Sequence, residues 1–154
     1  MSVDDALFKL AMSHFASGVT VVTTEHDGKP YGMTVASFAS LSLHPPLVLV
    51  CIEKAVKTHD AIAASGKFGV SILKSDQSDV SGRFASKSDD KFSGVNLVSG
   101  SVPLIAGALT TLECTLANQL PGGDHSIFVG EVVAVTTSEG APLVYYRAAY
   151  RDIT

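Results

Sequence analysis

Residues 32–54 read GMTVASFASLSLHPPLVLVCIEK. The stretch opens in a strand-like segment, Tyr31–Phe38, in which β-branched and aromatic residues mix with small ones. His44-Pro45-Pro46 then breaks the chain, because proline lacks an amide donor and the residue before it avoids helix. Leu47–Ile52 (LVLVCI) follows as an unbroken apolar run, the pattern expected of a strand buried on both faces. The run ends in Glu53-Lys54, and Thr58 beyond it has the side chain of a helix N-cap.

Working outward, Val19–Thr24 (VTVVTT) is a second strand, joined to Tyr31–Phe38 through the turn signal Asp27-Gly28. Before it, Ser2-Val3-Asp4-Asp5 reads as a helix start with Ser2 as N-cap. Leu7, Leu10, Ala11 and Phe15 recur at helical spacing, and Gly18 closes the segment. After residue 54 a short helix over His59–Ala64 ends at Ser65-Gly66, Lys67–Leu73 is a strand, and Ser75 caps a helix running toward Phe84. Ser86–Gly100 is polar and loop-like. Ala108–Leu120 and Ile127–Thr137 are long strands joined by the loop Pro121–Ser126, and Pro142–Tyr146 is a last short one. Six or seven strands in hairpin order, with three short helices, predict a mainly β antiparallel barrel rather than a doubly wound parallel sheet. No linker or repeat interrupts the chain, so residues 1–154 are expected to form one domain.

Composition narrows the function. A hydrophobic fraction of 46% against 17% charged residues is the reverse of a disordered chain. It also exceeds what one small core hides, which predicts a homodimer. A net charge of −4 without any basic run argues against nucleic acid. No apolar run approaches the ~18 residues of a membrane span. MSVDDALFKL is acidic and lacks the basic start of a signal peptide, so a cytoplasmic location is expected. Cys51 and Cys114 lie in apolar runs without a CxxC pair and are expected to be buried free thiols. The chain has no GxGxxG, no GxxxxGK[ST] and no GxSxG. Its five histidines show no metal-ligand spacing.

Four segments have side chains suited to a ligand, and each also has a plainer reading. The hydroxyls of Thr34–Ser42 serve equally as a phosphate cradle or as a polar barrel face. Cys51–Lys54 leading to Thr58 is a strand end meeting a helix start, a place that favours anions or only caps a helix. Arg83-Phe84-Ala85, Lys87 and Asp89–Phe92 combine cations and aromatics, as in a ring-covering loop or a solvated one with two anchors. Gly122-Gly123-Asp124-His125-Ser126 is a tight turn carrying a histidine, either functional or merely exposed.

In order and spacing these segments resemble the flavin reductase-like family, whose fold is an FMN-binding split β-barrel with Greek-key-like connections. The matching stretches are FASGVTVVTT (15–24), residues 32–54, FGVSIL (68–73), FA with DKF (84–92), LECTL (112–116), GGDHSIFVGEV (122–132) and PLVYYRAAY (142–150). The resemblance implies an NAD(P)H:flavin oxidoreductase that passes hydride from NADH or NADPH to FMN or FAD and supplies a partner monooxygenase. It also admits a flavoprotein with tightly bound FMN and another acceptor, or a non-catalytic electron-transfer protein. It implies flavin contacts at Thr34, Val35, Ala36, Ser37, Ser40 and Leu41, at Cys51, Ile52, Glu53 and Lys54, at Thr58 beside the phosphate, and at Phe84, Ala85 and Lys91. It sets His125 on the nicotinamide side, with Tyr150 within reach of the site. Ala36 stands where the family often has serine, His44 where aspartate is common, and Ala148-Ala149 where a glycine pair is frequent.

Overall fold

A computed structural model describes residues 2–153. Helix α1, Asp5–Ser13, is capped by Asp4, whose carboxylate accepts the Leu7 N–H at 3.2 Å. Ser2 lies two residues too early to cap a helix that begins at Asp5. The helix also stops well before Gly18, where the Ser13 hydroxyl and His14 Nδ1 both turn back to the Leu10 carbonyl.

The chain then enters β1 (Ser17–Gly18), β2 (Thr20–His26) and β3 (Lys29–Val35), with Asp27-Gly28 as the turn of the β2–β3 hairpin. Tyr31–Phe38 is not one strand. β3 ends at Val35, and Phe38 starts β4 (Phe38–Ser42) after the two-residue link Ala36-Ser37. β5 (Leu47–Glu53) follows, and only one of its faces is fully buried: Val48, Val50 and Ile52 point into the core while Leu47, Leu49 and Cys51 are half-buried.

Helix α2, Lys57–Ser65, starts one residue before Thr58, which therefore lies in its first turn instead of capping it. Gly66, at φ 71°, ends the helix as predicted, and β6 (Lys67–Ile72) begins directly after it. Helix α3 spans Ser78–Ala85, with Gln77 at the cap position rather than Ser75. The polar stretch beyond it contains a small hairpin of β7 (Leu97–Val98) and β8 (Leu104–Ile105). β9 (Thr110–Gly122) and β10 (His125–Thr137) are the longest strands. Their turn is tighter than the predicted loop, since Pro121 and Ser126 already pair across it. β11 (Val144–Tyr146) pairs with β1 and with a further strand, β12 (Ala149–Arg151), which the sequence reading did not include.

Seven strands form one antiparallel sheet in the order β3-β2-β6-β9-β10-β5-β4. Its two edges, β3 and β4, are consecutive in the chain and joined only through Ala36-Ser37. The sheet therefore curls back on itself without pairing its edges, which makes it a split barrel. The main core fills it with Val22, Val50, Ile52, Ile62, Phe68, Val70 and Phe128 among others. A second cluster, including Val19, Val21, Leu73, Phe84 and Ile105, packs on the other side of β2, so β2 is buried on both faces, as is its neighbour β6 over Phe68–Ser71. Its threonines are satisfied internally: Thr20 donates to the Val35 carbonyl, Thr23 to that of Pro103, and Thr24 to that of Lys67. At Gly130 of β10 a Cβ would lie 2.5 Å from the Phe68 ring, which is fully buried and has nowhere to go.

Both cysteines are free. Cys114 is buried, and Cys51 is half-buried, short of the full burial expected. Burial, with Glu113 nearby, pushes the Cys114 thiol up to about 12, which removes it from nucleophilic chemistry.

Candidate functional site

A cavity of about 580 Å³ opens between β3, the start of α2 and the loop that follows α3. Gly32 forms part of its β3 wall. A Cβ there would come within 3.0 Å of both Phe84 and Phe92, whose rings pack edge-to-face at 5.0 Å. Phe84, near the end of α3, and Phe92, in the loop beyond it, thus pack against each other and the strand, and Phe84 is fully buried.

Two cations hold the loop. Arg83 donates from Nε to the Lys91 carbonyl at 2.6 Å and from Nη2 to the carbonyls of Asp90 and Ser93. Lys91 sends its ammonium to the carbonyls of Gly32 (3.2 Å) and Phe84 (3.1 Å), tying the loop to β3. Burial lowers the Lys91 pKa, and Asp89 opposes that shift. At the cavity mouth the Lys57 ammonium lies 3.1 Å from Asp89, whose pKa it lowers by this hydrogen bond and its charge. Four lysines (29, 57, 87 and 91) line the cavity against two carboxylates, Glu53 and Asp89. The cavity is therefore locally cationic on a chain whose net charge is −4.

Helix α2 reinforces that polarity. No side chain caps its N-terminus, where Val56 stands, yet Val56, Lys57 and Thr58 all line the cavity. The first turn of any helix carries amide N–H groups without intrahelical partners and the positive end of the helix dipole. A ligand anion is the partner such an end accepts.

Of the fourteen residues predicted to contact flavin, Thr34, Glu53, Thr58, Phe84, Ala85 and Lys91 line this cavity. Thr34 donates its hydroxyl to the Ser81 carbonyl at 2.6 Å, so it presents a methyl and an acceptor rather than a free proton. The other eight lie outside it. Val35 and Ile52 point into the barrel core. Ala36 and Ser37 form the exposed β3–β4 link, and Ser37 is bound twice to Cys51, from its hydroxyl to the Cys51 carbonyl and from the Cys51 N–H to its own carbonyl. Ser40 and Leu41 are exposed on β4, and Lys54 is exposed in the turn after β5, its N–H donating to the Asp124 carbonyl. Lys29, Tyr31 and Lys57 line the cavity without having been predicted, since an isolated lysine beside a turn or inside a helix has no distinguishing pattern. Tyr150 donates to or accepts from Ser81 on α3 at 2.7 Å and does not line the cavity.

His125 opens β10 directly opposite Glu53 of β5, so the hairpin tip lies beside the cavity wall that Glu53 forms. Its Nδ1 is 2.7 Å from the Asp124 carboxylate, and this contact holds the Asp124 pKa below the usual carboxylate range.

The fold is thus a split antiparallel barrel with a cationic cavity beside its edge strand β3. Residues 12–154 match the flavin reductase like domain. The chain is 42% identical over 156 residues to the Mycobacterium tuberculosis flavin-dependent monooxygenase reductase subunit HsaB, covering 98% of this chain and 83% of that protein. It is 41% identical over 146 residues to an NADH-dependent flavin reductase of a Rhodococcus species, covering 93% and 83%. The Streptomyces globisporus NADH:FAD oxidoreductase SgcE6, solved in complex with NAD and FAD fragments, superposes with a TM-score of 0.94 at 38% identity, over 100% of this chain and 97% of that one. The chain belongs to the flavin reductase-like family.

Proposed function

We propose that this protein is an NADH-dependent flavin reductase that releases reduced flavin to a partner monooxygenase. The observation that carries the reading is the cavity at the uncapped start of α2, where four lysines face two carboxylates. Its size suits a small-molecule ligand. The donor set, an open helix N-terminus with Thr58 and Lys91, fits the phosphate of FMN or FAD. The reductase components among its relatives support the same activity.

A bound flavin would supply the hydride-accepting chemistry and a nicotinamide the hydride. The first turn of α2 with Thr58 receives the phosphate, and Lys91 faces it from the loop. Phe84 and Ala85 close the α3 side. The end of β3 (Thr34 and Val35), the β3–β4 link (Ala36 and Ser37) and β4 (Ser40 and Leu41) would flank the ring system, as would the end of β5 (Cys51, Ile52, Glu53 and Lys54), with Val35 and Ile52 offering backbone only because their side chains fill the core. The doubled Ser37–Cys51 contact makes the link and β5 one rigid wall. His125, oriented by Asp124, positions the nicotinamide. Hydride transfer needs no protein proton, so these side chains act by orienting two rings.

A second copy of the chain covers α1. That helix buries none of its residues while presenting Leu7, Phe8, Leu10 and Met12, and Phe15 just beyond it is 82% exposed. Exposed apolar surface of this kind belongs to an interface, most often a two-fold one. Two free thiols fit a reducing, cytoplasmic compartment.

The test is anaerobic mixing of the protein with NADH and either FMN or FAD. Loss of the NADH band matched one for one by bleaching of the flavin band is the expected result. Measurable flavin binding without NADH oxidation overturns the reading in favour of a non-catalytic flavin carrier.

A further inference from the structure

We propose that His59 and Ser126 form a buried positioning pair that holds the flavin-phosphate wall and the nicotinamide-side histidine in register. This inference rests on the flavin reductase reading of the two residues that flank the pair. His59 is the third residue of α2 and directly follows Thr58. Ser126 is the second residue of β10 and directly follows His125. The two side chains meet at 2.8 Å, His59 Nε2 to Ser126 Oγ, across 67 positions of sequence.

His59 Nδ1 lies 2.9 Å from an Asp60 carboxylate oxygen, and an ionised carboxylate only accepts, so Nδ1 holds a ring proton. In the neutral ring Nε2 then accepts from the Ser126 hydroxyl, and in the imidazolium it donates to the same oxygen; either form keeps the bond. The imidazole also packs edge-to-face on Phe128, ring centres 5.0 Å apart, so it cannot swing away. His59 is 8% exposed and Ser126 4%. Losing either partner leaves a buried polar atom without water to replace it.

Asp60, His59 and Ser126 share the order and spacing of a nucleophile with its base. Burial decides against that use. Ser126 is buried and its hydroxyl is engaged by His59, so it is not presented to a substrate. What the bond does is mechanical. β10 near its start is already paired to β5, Ser126 to Ile52, and the Lys54 N–H holds the Asp124 carbonyl. The side-chain bond adds α2 to that frame. Thr58 and His125 are then each one residue from the same fixed point, so the phosphate and nicotinamide subsites assigned to them gain a set separation. Loosening that point weakens the binding of both ligands, because each subsite must then be ordered when its ligand binds.

Steady-state kinetics of Ser126→Ala, Ser126→Thr and the parent, each checked for folding by thermal melting, test the pair. Ser126→Ala is expected to raise the Michaelis constants for flavin and for NADH together, each by about threefold to tenfold, the range of one lost hydrogen bond. Ser126→Thr retains the hydroxyl and is expected to recover at least half of each loss on a logarithmic scale. If Ser126→Ala does not fold, His59→Gln, which removes the ring but retains an amide, is measured instead with the same expected rise. A folded Ser126→Ala or His59→Gln protein whose two Michaelis constants match the parent overturns the positioning role. So does a Ser126→Thr protein no better than Ser126→Ala, which is what a purely structural contact gives. If the parent itself does not oxidise NADH with flavin, the functional reading fails first, and the inference fails with it.

Discussion

Helices α1 and α2 are each nine residues long and have opposite ends and faces. α1 has an N-cap, Asp4, and buries nothing; α2 has no side-chain cap and buries Thr58, His59, Ala61 and Ile62. A capped helix has satisfied its own first turn and is free to stand on the surface. An uncapped helix packed against a barrel holds its unsatisfied amides in a fixed place, which is what an anion site requires. The apolar residues follow the same division. Those of α2 face the core of their own chain, and those of α1 have no cover within the described residues. On the proposed reading, one helix serves a ligand and the other a second copy.

The difference can be broken from either side. The largest effect is expected from Val56→Asp, which gives α2 the cap it lacks. The new carboxylate competes with a ligand phosphate for the same amides, so flavin affinity falls by about tenfold or more in a fluorescence titration. Thermal stability moves little, within about 1 kcal/mol, because the cap offsets the packing that Val56 loses. Next comes the double exchange Leu7→Glu with Phe8→Glu on α1. Light scattering is expected to report two copies for the parent and one for the variant, with the fold unchanged by circular dichroism. The smallest effect is that of Asp4→Ala, which removes the α1 cap. Stability drops by about 1 kcal/mol in a denaturant titration while the Michaelis constant for flavin stays at the parent value.

The fold was legible wherever a local pattern had one meaning. Asp27-Gly28 between two β-branched runs is the β2–β3 hairpin, and Gly66 ends α2 in the left-handed conformation only glycine adopts without strain. Boundaries misled where two residues could do one job. Ser2 and Asp4 are equally good caps, so cap preference alone does not choose between them, while Thr58 is a better cap than Val56 yet α2 starts where its buried face meets the barrel. Hydroxyls misled for a related reason. Thr20, Thr23 and Thr24 look like a polar face, but neighbouring carbonyls that no sequence pattern reveals engage all three.

The candidate site divides in the same way. Phe84, Ala85 and Lys91 could be carried over from the family as a loop, because they lie together in the chain and in space. Lys29 and Lys57 reach the same cavity from a hairpin and a helix, and only the curl of the sheet brings them there. His59 and Ser126 are the extreme case, a contact made across the barrel between residues that no spacing connects.

Comparing FMN with riboflavin as substrates for NADH oxidation tests the central claim most directly, because the two differ only in the phosphate assigned to the start of α2. The account predicts a Michaelis constant for riboflavin at least about tenfold above that for FMN, the loss of one charge-assisted contact or more. Equal constants for the two flavins would contradict it.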